Sequence, residues 1–229
     1  MIKIRAFKAI DDRAACEKYV FEHMQILKVF GITKITTANN SWMFNPNVYV
    51  IMAESLENGE ALGGARIQIY DEENPLPIVV AVKDFDPSVV PLVREYNKDT
   101  GTAEICGLWN SRSVAGLGIG TLFLSRAGVA LAAQLPIKSM FVLCGEHTIG
   151  ITMEKGFVIE ERLGNKGTFY YPKQDLVATA AVMHDVNDLS HANVADRELI
   201  KGLRNDPMQT RVEIGPKGNL IIQYDLKLK

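Results

Sequence analysis

The stretch from residue 103 to residue 135 constrains the fold more than any other part of this chain. It contains a short apolar run (AEICGLWNSRS), a run with glycine at alternate positions (VAGLGIG) and a longer segment rich in Ala and Leu (TLFLSRAGVALAAQL). Short apolar runs are typical of buried strands, and long segments with helical periodicity are typical of helices. The stretch therefore predicts a strand, a tight glycine turn and a helix in immediate succession.

The glycine turn is the first candidate for a binding site. Gly116, Gly118 and Gly120 can adopt backbone angles closed to other residues, which lets a ligand approach the main chain. The turn lies at a predicted helix start, where amide N–H groups have no intrahelical partner and the helix dipole is positive. The residues predicted to bind an anion are Leu117, Gly118, Ile119, Gly120 and Thr121. The alternative is that the glycines only allow close packing between strand and helix.

Composition and charge argue against several classes of function. The chain has 229 residues, 47% of them hydrophobic, and a net charge of −2 without a basic run, which argues against nucleic acid as a partner. No apolar run approaches the roughly 20 residues that span a bilayer, and the N-terminus is too charged for a signal peptide. We therefore expect a cytoplasmic protein that does not bind membranes. The three cysteines lack CxxC spacing, which predicts reduced thiols rather than a disulfide scaffold or a metal site.

The other elements follow from periodicity and turn signals. Alternation predicts a first strand at Ile2 to Phe7, and Asp11 or Asp12 can cap a helix that runs to about Phe30. Asn58-Gly59 between two apolar segments predicts a hairpin. The remaining predictions are strands at Val48 to Ser55, Ala61 to Tyr70, Ser139 to Cys144, Phe157 to Glu161 and Thr168 to Tyr171, and helices at Pro87 to Tyr96 and Glu146 to Lys155.

Two features of the N-terminal part leave alternatives open. The segment Trp42-Met43-Phe44 lies in a polar stretch, where it either pins a loop to the core or forms a wall of an acceptor pocket, since binding sites often lie on loops. His23 lies on the predicted first helix without a ligand partner at a suitable spacing. We interpret it as a surface histidine or one whose hydrogen bonds are satisfied.

Two motifs carry a resemblance to a known family. The run VAGLGIGTLFLSRA resembles the pyrophosphate-binding motif of the GCN5-related N-acetyltransferase (GNAT) superfamily, Arg/Gln-x-x-Gly-x-Gly/Ala, with Ala115 at the Arg/Gln position. The run MEKGF, from Met153 to Phe157, resembles the family's second motif, Tyr-Glu-Lys-x-Gly-Phe, with Met153 in place of the tyrosine. The resemblance implies an α/β (α+β) fold with a mixed, mostly antiparallel central sheet flanked by helices.

The same resemblance implies how the chain is divided. Residues 1–175 would form the acyltransferase core, and residues 176–229 a C-terminal extension packed on it. Within the extension we expect one more strand in LVATAAVM, a helix from Asn193 to Arg204, and a hairpin. No flexible linker marks a domain boundary.

The resemblance also implies a reaction, because the acyl thioester of this family lies where the central strand and its neighbour diverge. The implied protein is an N-acyltransferase that moves an acyl group, preferably acetyl, from acetyl-CoA or another acyl-CoA to the amine of a small molecule or peptide, without a metal. Glu104 is the candidate base for the amine proton, because a carboxylate between Ala103 and Ile105 would be desolvated and its pKa raised. The alternative for Glu104 is an exposed position or an ion pair with Arg66 or Arg112.

Two other functions stay open. The segments AEICGLWNS, ProLeuPro at 75–77 and DLVATAAVM resemble acyl-homoserine-lactone synthases and long-chain N-acyl amino acid synthases, although Gly107 stands where those enzymes have arginine. That resemblance implies acyl carrier protein as the acyl donor. The missing side chains at Ala115 and Met153 instead favour a non-catalytic acyl-CoA-binding protein. The oligomeric state is open, and a homodimer is one option.

Overall fold

We describe a computed structural model of the protein, over residues 1–29, 31–32, 40–98 and 100–228. The strands are β1 (Ile2–Lys8), β2 (Val48–Ser55), β3 (Ala61–Ile69), β4 (Thr102–Asn110), β5 (Ser139–Gly145), β6 (Val158–Ile159), β7 (Thr168–Tyr170), β8 (Val177–Met183), β9 (Thr210–Gly215) and β10 (Gly218–Asp225). The α-helices are α1 (Arg13–Val29), α2 (Pro77–Val82), α3 (Val89–Asn97), α4 (Ser125–Ala132), α5 (Glu146–Glu154) and α6 (Val194–Asn205). The predicted elements are confirmed to within a few residues, and the predicted helix end at Phe30 lies outside the described residues.

These strands form one sheet in the order β6-β8-β5-β4-β3-β2-β1-β10-β9, with β7 paired to β8. The pairs β4–β5 and β1–β10 are parallel, and the other pairs are antiparallel. The prediction of a mixed, mostly antiparallel sheet flanked by helices is therefore confirmed. The β2–β3 hairpin turns at Gly59, whose φ of +70° is the conformation that the Asn-Gly pair favours.

The strands between residues 176 and 228 belong to the same sheet as the strands before them. β8 lies between β5 and β6, and β10 pairs with β1. α6 packs on α4, and the Asn193 side chain caps the start of α6 by accepting the N–H of Asp196 at 2.7 Å. The division into a core of residues 1–175 and an extension thus stays a proposal about folding units, since no gap in the sheet marks it.

Helices cover both faces of the sheet, because successive side chains of the central strands point to opposite sides. On one face α4 approaches β4 closely at Gly128, where a Cβ would lie 2.4 Å from Cδ1 of Ile105. On the other face α1 places Tyr19 edge-to-face against Trp42 and Trp109, with ring centroids 5.4 and 5.7 Å apart. Within the described ranges, no helix is long and apolar enough to cross a membrane.

Candidate active site

The central strands β4 and β5 diverge, and a cavity lies between them. The two strands pair only up to Glu104 and Phe141, although both continue further. The cavity has a volume of about 380 Å³. Its wall is mostly apolar and includes Ile105, Val129, Val142, Leu143 and Phe157. An apolar cavity with a few polar groups is the usual form of a small-molecule site.

Glu104 lies on the wall of this first cavity and is only 2% exposed. Its Oε2 accepts the backbone N–H of Ile78 at 2.6 Å, near the start of α2. Burial raises the pKa of Glu104 to about 8, although the Ile78 amide and the positive charge of Arg66 both act to lower it. A carboxyl group with this pKa can exchange a proton near neutral pH. The expected desolvation of Glu104 is therefore observed, and its role as a base stays a prediction.

Arg66 on β3 lies on the same face of the sheet as Glu104. Gln68 pairs with Glu104 across the two strands, and Arg66 pairs with Cys106, so Arg66 and Glu104 are diagonal neighbours. Arg66 is 2% exposed, and its guanidinium carbon lies 4.7 Å from a ring centroid of Trp42. A cation over an indole ring is attracted by the ring's negative face, and this attraction offsets part of the cost of its burial.

A second cavity, of about 260 Å³, lies beside the first. Arg66, Gln68 and Trp42 line it, and Pro77 lines both cavities. The rest of its wall is largely polar and includes Ser41, Asn45, Glu73 and Asn74. Trp42 therefore packs in the core and also lines a cavity, and the role of that cavity as an acceptor pocket stays a prediction.

The helix α1 covers the first cavity on one face of the sheet. The Tyr19 hydroxyl donates a hydrogen bond to the carbonyl of Gly107. His23 is buried and lines the first cavity. Burial, together with the charge of Arg66, lowers the pKa of His23 to about 4, so its imidazole is neutral at neutral pH. The interpretation of His23 as a surface histidine is therefore wrong. A lone histidine on a predicted helix has many possible environments, so the sequence offered no signal that it lines a cavity.

The glycine turn leads into a wide first helical turn. Residues Ile119–Leu124 form a π-helical turn before α4 begins. Within it the amides of Leu122 and Phe123 both donate to the carbonyl of Gly118. The amides from Ile119 to Thr121 precede these first helical donors, and such positions at a helix start are available to an external acceptor.

The glycines of the turn have structural reasons of their own. Gly118 has φ +85°, a region that other residues rarely adopt. A Cβ at Gly120 would lie 2.7 Å from Oδ1 of Asn110 on β4, so a larger residue here would require the Asn110 side chain to shift. The packing alternative thus accounts for the glycine pattern. The prediction for Leu117 is wrong, because its amide donates to the carbonyl of Val114 at 3.1 Å, and anion binding by the amides from Gly118 to Thr121 stays a prediction.

The tip of the β9–β10 hairpin packs against the glycine turn. Lys217 Nζ donates to the carbonyl of Ala115 at 3.0 Å. Ala115 is the position at which the GNAT motif has arginine or glutamine. A cation from a distant part of the chain therefore lies beside this turn.

The structure brings together some of the predicted site residues and separates others. Glu104 lines the first cavity, whereas Leu117 to Thr121 lie outside its lining and begin the helix whose residues Ser125 and Val129 contribute to it. Sequence reasoning missed Lys155, which is 1% exposed and also lines the cavity. Its only sequence signal was its place in the MEKGF motif.

Two cysteines also line the first cavity. Burial raises the pKa of Cys106 to about 12 and shifts the pKa of Cys144 upward as well, so both thiols stay protonated at neutral pH. A protonated thiol is a poor nucleophile, which argues against covalent catalysis here. In the described part of the chain, no group of three or more His, Cys, Asp or Glu side chains could hold a metal ion.

Comparison with known proteins places this geometry in context. No protein-family model matches the chain, and no curated protein matches it. FeeM, an N-acyl amino acid synthase from uncultured soil microbes, matches in structure with a TM-score of 0.58 and 14% identity, over 86% of this chain and 98% of FeeM. The CoA-dependent acyl-homoserine lactone synthase BjaI, solved with SAM and isopentyl-CoA, matches with a TM-score of 0.54 and 13% identity, over 98% and 94% of the two chains.

A third solved structure, an acyl-CoA N-acyltransferase from Pseudomonas aeruginosa, matches with a TM-score of 0.51 and 13% identity, over 80% of this chain and 99% of that one. At these identities the likeness concerns the fold and carries no substrate or residue role. The matched regions nonetheless span nearly the whole of each neighbour. The chain therefore has the fold of the GNAT acyltransferases.

Proposed function

We propose that this protein is an N-acyltransferase that moves an acyl group from a CoA thioester to the amine of a small molecule. The observation that carries the proposal is Glu104, a buried carboxyl group with a raised pKa on the wall of a cavity between diverging strands. A titratable group whose pKa is shifted by burial inside a cavity is a candidate for proton transfer.

In the proposed reaction the thioester lies between β4 and β5. The amine nitrogen of the acceptor attacks the thioester carbonyl carbon, the C–N bond forms, and the C–S bond breaks as the thiolate leaves. Glu104 takes the proton that the nitrogen loses, and a base positioned in this way contributes roughly 10²–10⁴ to the rate. The amides from Gly118 to Thr121 bind the diphosphate of the donor, as helix starts bind anions in other proteins.

A second observation concerns the acceptor. Arg66 and Glu104 are diagonal neighbours on one face of the sheet, at a spacing of about 7 Å between side-chain origins. An acceptor with an amine and a carboxylate a few bonds apart can place the amine towards Glu104 and the carboxylate towards Arg66. The second cavity then holds the rest of the molecule. This arrangement favours an amino acid as the acceptor and supports the amino acid N-acyltransferase alternative.

The size of the first cavity bears on the acyl group. An acetyl group has three non-hydrogen atoms, and a water molecule in the liquid occupies about 30 Å³. A cavity of about 380 Å³ with apolar walls therefore has room for an acyl chain longer than acetyl, beside the end of the donor that carries the thioester. We infer an acyl chain longer than acetyl, in place of the acetyl group that the sequence analysis preferred.

The test is a matrix of acyl donors and amine acceptors with product detection by mass spectrometry. The donors are acetyl-, hexanoyl- and decanoyl-CoA and decanoyl-acyl carrier protein, and the acceptors are amino acids and the corresponding amines without a carboxylate. We expect N-acyl amino acids from the longer CoA donors. Product from acetyl-CoA alone would overturn the chain-length inference, and product from no donor would support the non-catalytic alternative.

A further inference from the structure

A chain of alternating charges runs from the C-terminal hairpin to the first cavity. Asp196 on α6 contacts Arg126 on one side and Lys155 on the other, with 3.5 Å between its Oδ2 and Lys155 Nζ. Glu213 on β9 lies between Arg126 and Arg211, at 3.9 and 3.7 Å. The order is thus Lys155, Asp196, Arg126, Glu213 and Arg211, which is cation, anion, cation, anion and cation.

The two ends of this chain differ in their surroundings. Arg211 has a partly exposed side chain and can share its charge with water. Lys155 is buried, and burial lowers its pKa despite the nearby carboxylate of Asp196. Lys155 also donates to the carbonyl of Ile151 at 3.1 Å. Among the described residues that line the first cavity, it is the only lysine or arginine.

Two hydroxyl groups line the cavity near Lys155, but their protons are already donated to backbone carbonyls. Lys155 is therefore the main hydrogen-bond donor at this end of the cavity. Ser125 Oγ donates to the carbonyls of Thr121 and Leu122, and Thr152 Oγ1 donates to the carbonyl of Thr148. Each hydroxyl carries one proton, so both offer only lone pairs to a ligand. Both residues line the cavity beside Lys155.

We propose that the acyl donor of this protein carries a carboxylate on its acyl chain, which binds at Lys155. The donor class is therefore the CoA thioester of a dicarboxylic acid. The inference rests on the proposed function, since it names the donor for the same site. The ligand carboxylate continues the alternation of charges beyond Lys155.

The energetics favour this assignment over a plain alkyl chain. The Lys155 ammonium has three N–H donors, and the carbonyl of Ile151 and the carboxylate of Asp196 accept from two of them, so one remains for a ligand. A buried charge without full compensation is costly, and an added counter-ion lowers that cost. An alkyl chain packed against Lys155 would remove the remaining water from the ammonium and give it no new partner.

The experiment compares matched CoA thioesters with and without a terminal carboxylate, at chain lengths of four to ten carbons. Dissociation constants are measured by calorimetry for the wild type, Lys155→Met and the control Lys201→Met, whose lysine lies on the exposed side of α6 and pairs with Glu198. We expect the best carboxylated donor to bind the wild type at least about tenfold more tightly than its plain counterpart, the ratio that one buried charged hydrogen bond gives. Lys155→Met should reverse this preference, and Lys201→Met should keep it.

The outcomes separate the two proposals. Binding and transfer of plain donors without a preference for the carboxylate would overturn the assignment at Lys155 and leave the proposed function standing. Binding of neither set would overturn both. A preference that survives in Lys155→Met would also overturn the assignment. The wild-type comparison does not depend on the variant, so it decides the question even when Lys155→Met fails to fold.

Discussion

The donor end and the acceptor end of the proposed site are built in different ways. The donor end is one local segment, the glycine turn and the helical turn after it, where main-chain amides are the proposed ligands. The acceptor end consists of side chains from separate elements, namely Tyr19, Trp42, Arg66 and Glu104. A local segment leaves its pattern in consecutive residues, whereas the acceptor end exists only once the sheet register is formed.

The two ends also differ in what their residues cost the fold. Glu104 and Arg66 are ionisable groups taken almost completely out of water, which costs several kcal/mol per ion before compensation. A glycine in the turn costs only about 0.5–1 kcal/mol relative to alanine. A positioned base contributes roughly 10²–10⁴ to the rate, so we expect substitution of Glu104 to change activity more than substitutions at the donor end.

The largest effect is expected for Glu104→Gln. The amide keeps the shape of the carboxyl group but cannot take the amine proton, so turnover should fall by roughly 10²–10⁴ while donor affinity is unchanged. Steady-state rates and calorimetric donor titration measure the two quantities. Glu160→Gln is the control, since Glu160 is a buried carboxylate bound by Tyr96 and Arg162 and lies outside the first cavity. An equal loss of turnover in both variants would point to a general structural effect.

An intermediate effect is expected for Arg66→Met, which removes the cation that packs on the Trp42 ring and puts an apolar side chain in its place. The KM of an amino acid acceptor should rise about 10- to 100-fold, the value of a charged hydrogen bond. The KM of the matching amine without a carboxylate should not change. Arg162→Met serves as the control, because Arg162 also lies over an aromatic ring, that of Tyr96 at 5.3 Å, outside both cavities. An equal rise in KM for both acceptors would show that Arg66 does not bind the acceptor carboxylate.

The smallest effect is expected at the donor end, for Thr121→Glu. A carboxylate in the first turn of a helix interacts well with the helix dipole, so the fold should be stabilised by about 0.3–1 kcal/mol. The same charge repels the donor diphosphate, and donor affinity should fall about tenfold. Val194→Glu, at the exposed first position of α6, should give the stabilisation without the loss. If donor affinity is unchanged in Thr121→Glu, the diphosphate lies elsewhere.

The contrast between the two ends explains which parts of the structure could be predicted. The strands and helices were predictable because their signals are local, as in the Asn58-Gly59 hairpin and the run of small residues on α4. The burial of Glu104 was predictable from its apolar neighbours Ala103 and Ile105. The nearness of Arg66 to Glu104 was only one of several options, because the register between β3 and β4 depends on the whole sheet.

Long-range assembly accounts for what the sequence did not reveal. The place of β8 between β5 and β6 could not be read from LVATAAVM, which shows only that a strand forms. The contact of Lys217 with Ala115 joins residues 102 positions apart in the chain. The charge chain that ends at Lys155 likewise depends on how α6 and β9 pack against α4 and α5. The amino-acid composition does not indicate it.

The central claim is that Glu104 transfers the proton of the acceptor amine, and the pH dependence of kcat/KM tests it most directly. The pKa of Glu104 in the free protein is raised to about 8, so the ionised, proton-accepting form grows as pH rises towards that value. We predict that wild-type kcat/KM rises with pH and levels off above about pH 8, where the base is ionised. Glu104→Gln should keep rising until the acceptor amine itself is deprotonated, so that the gap between the profiles narrows at high pH. Parallel profiles for the two proteins would contradict the claim.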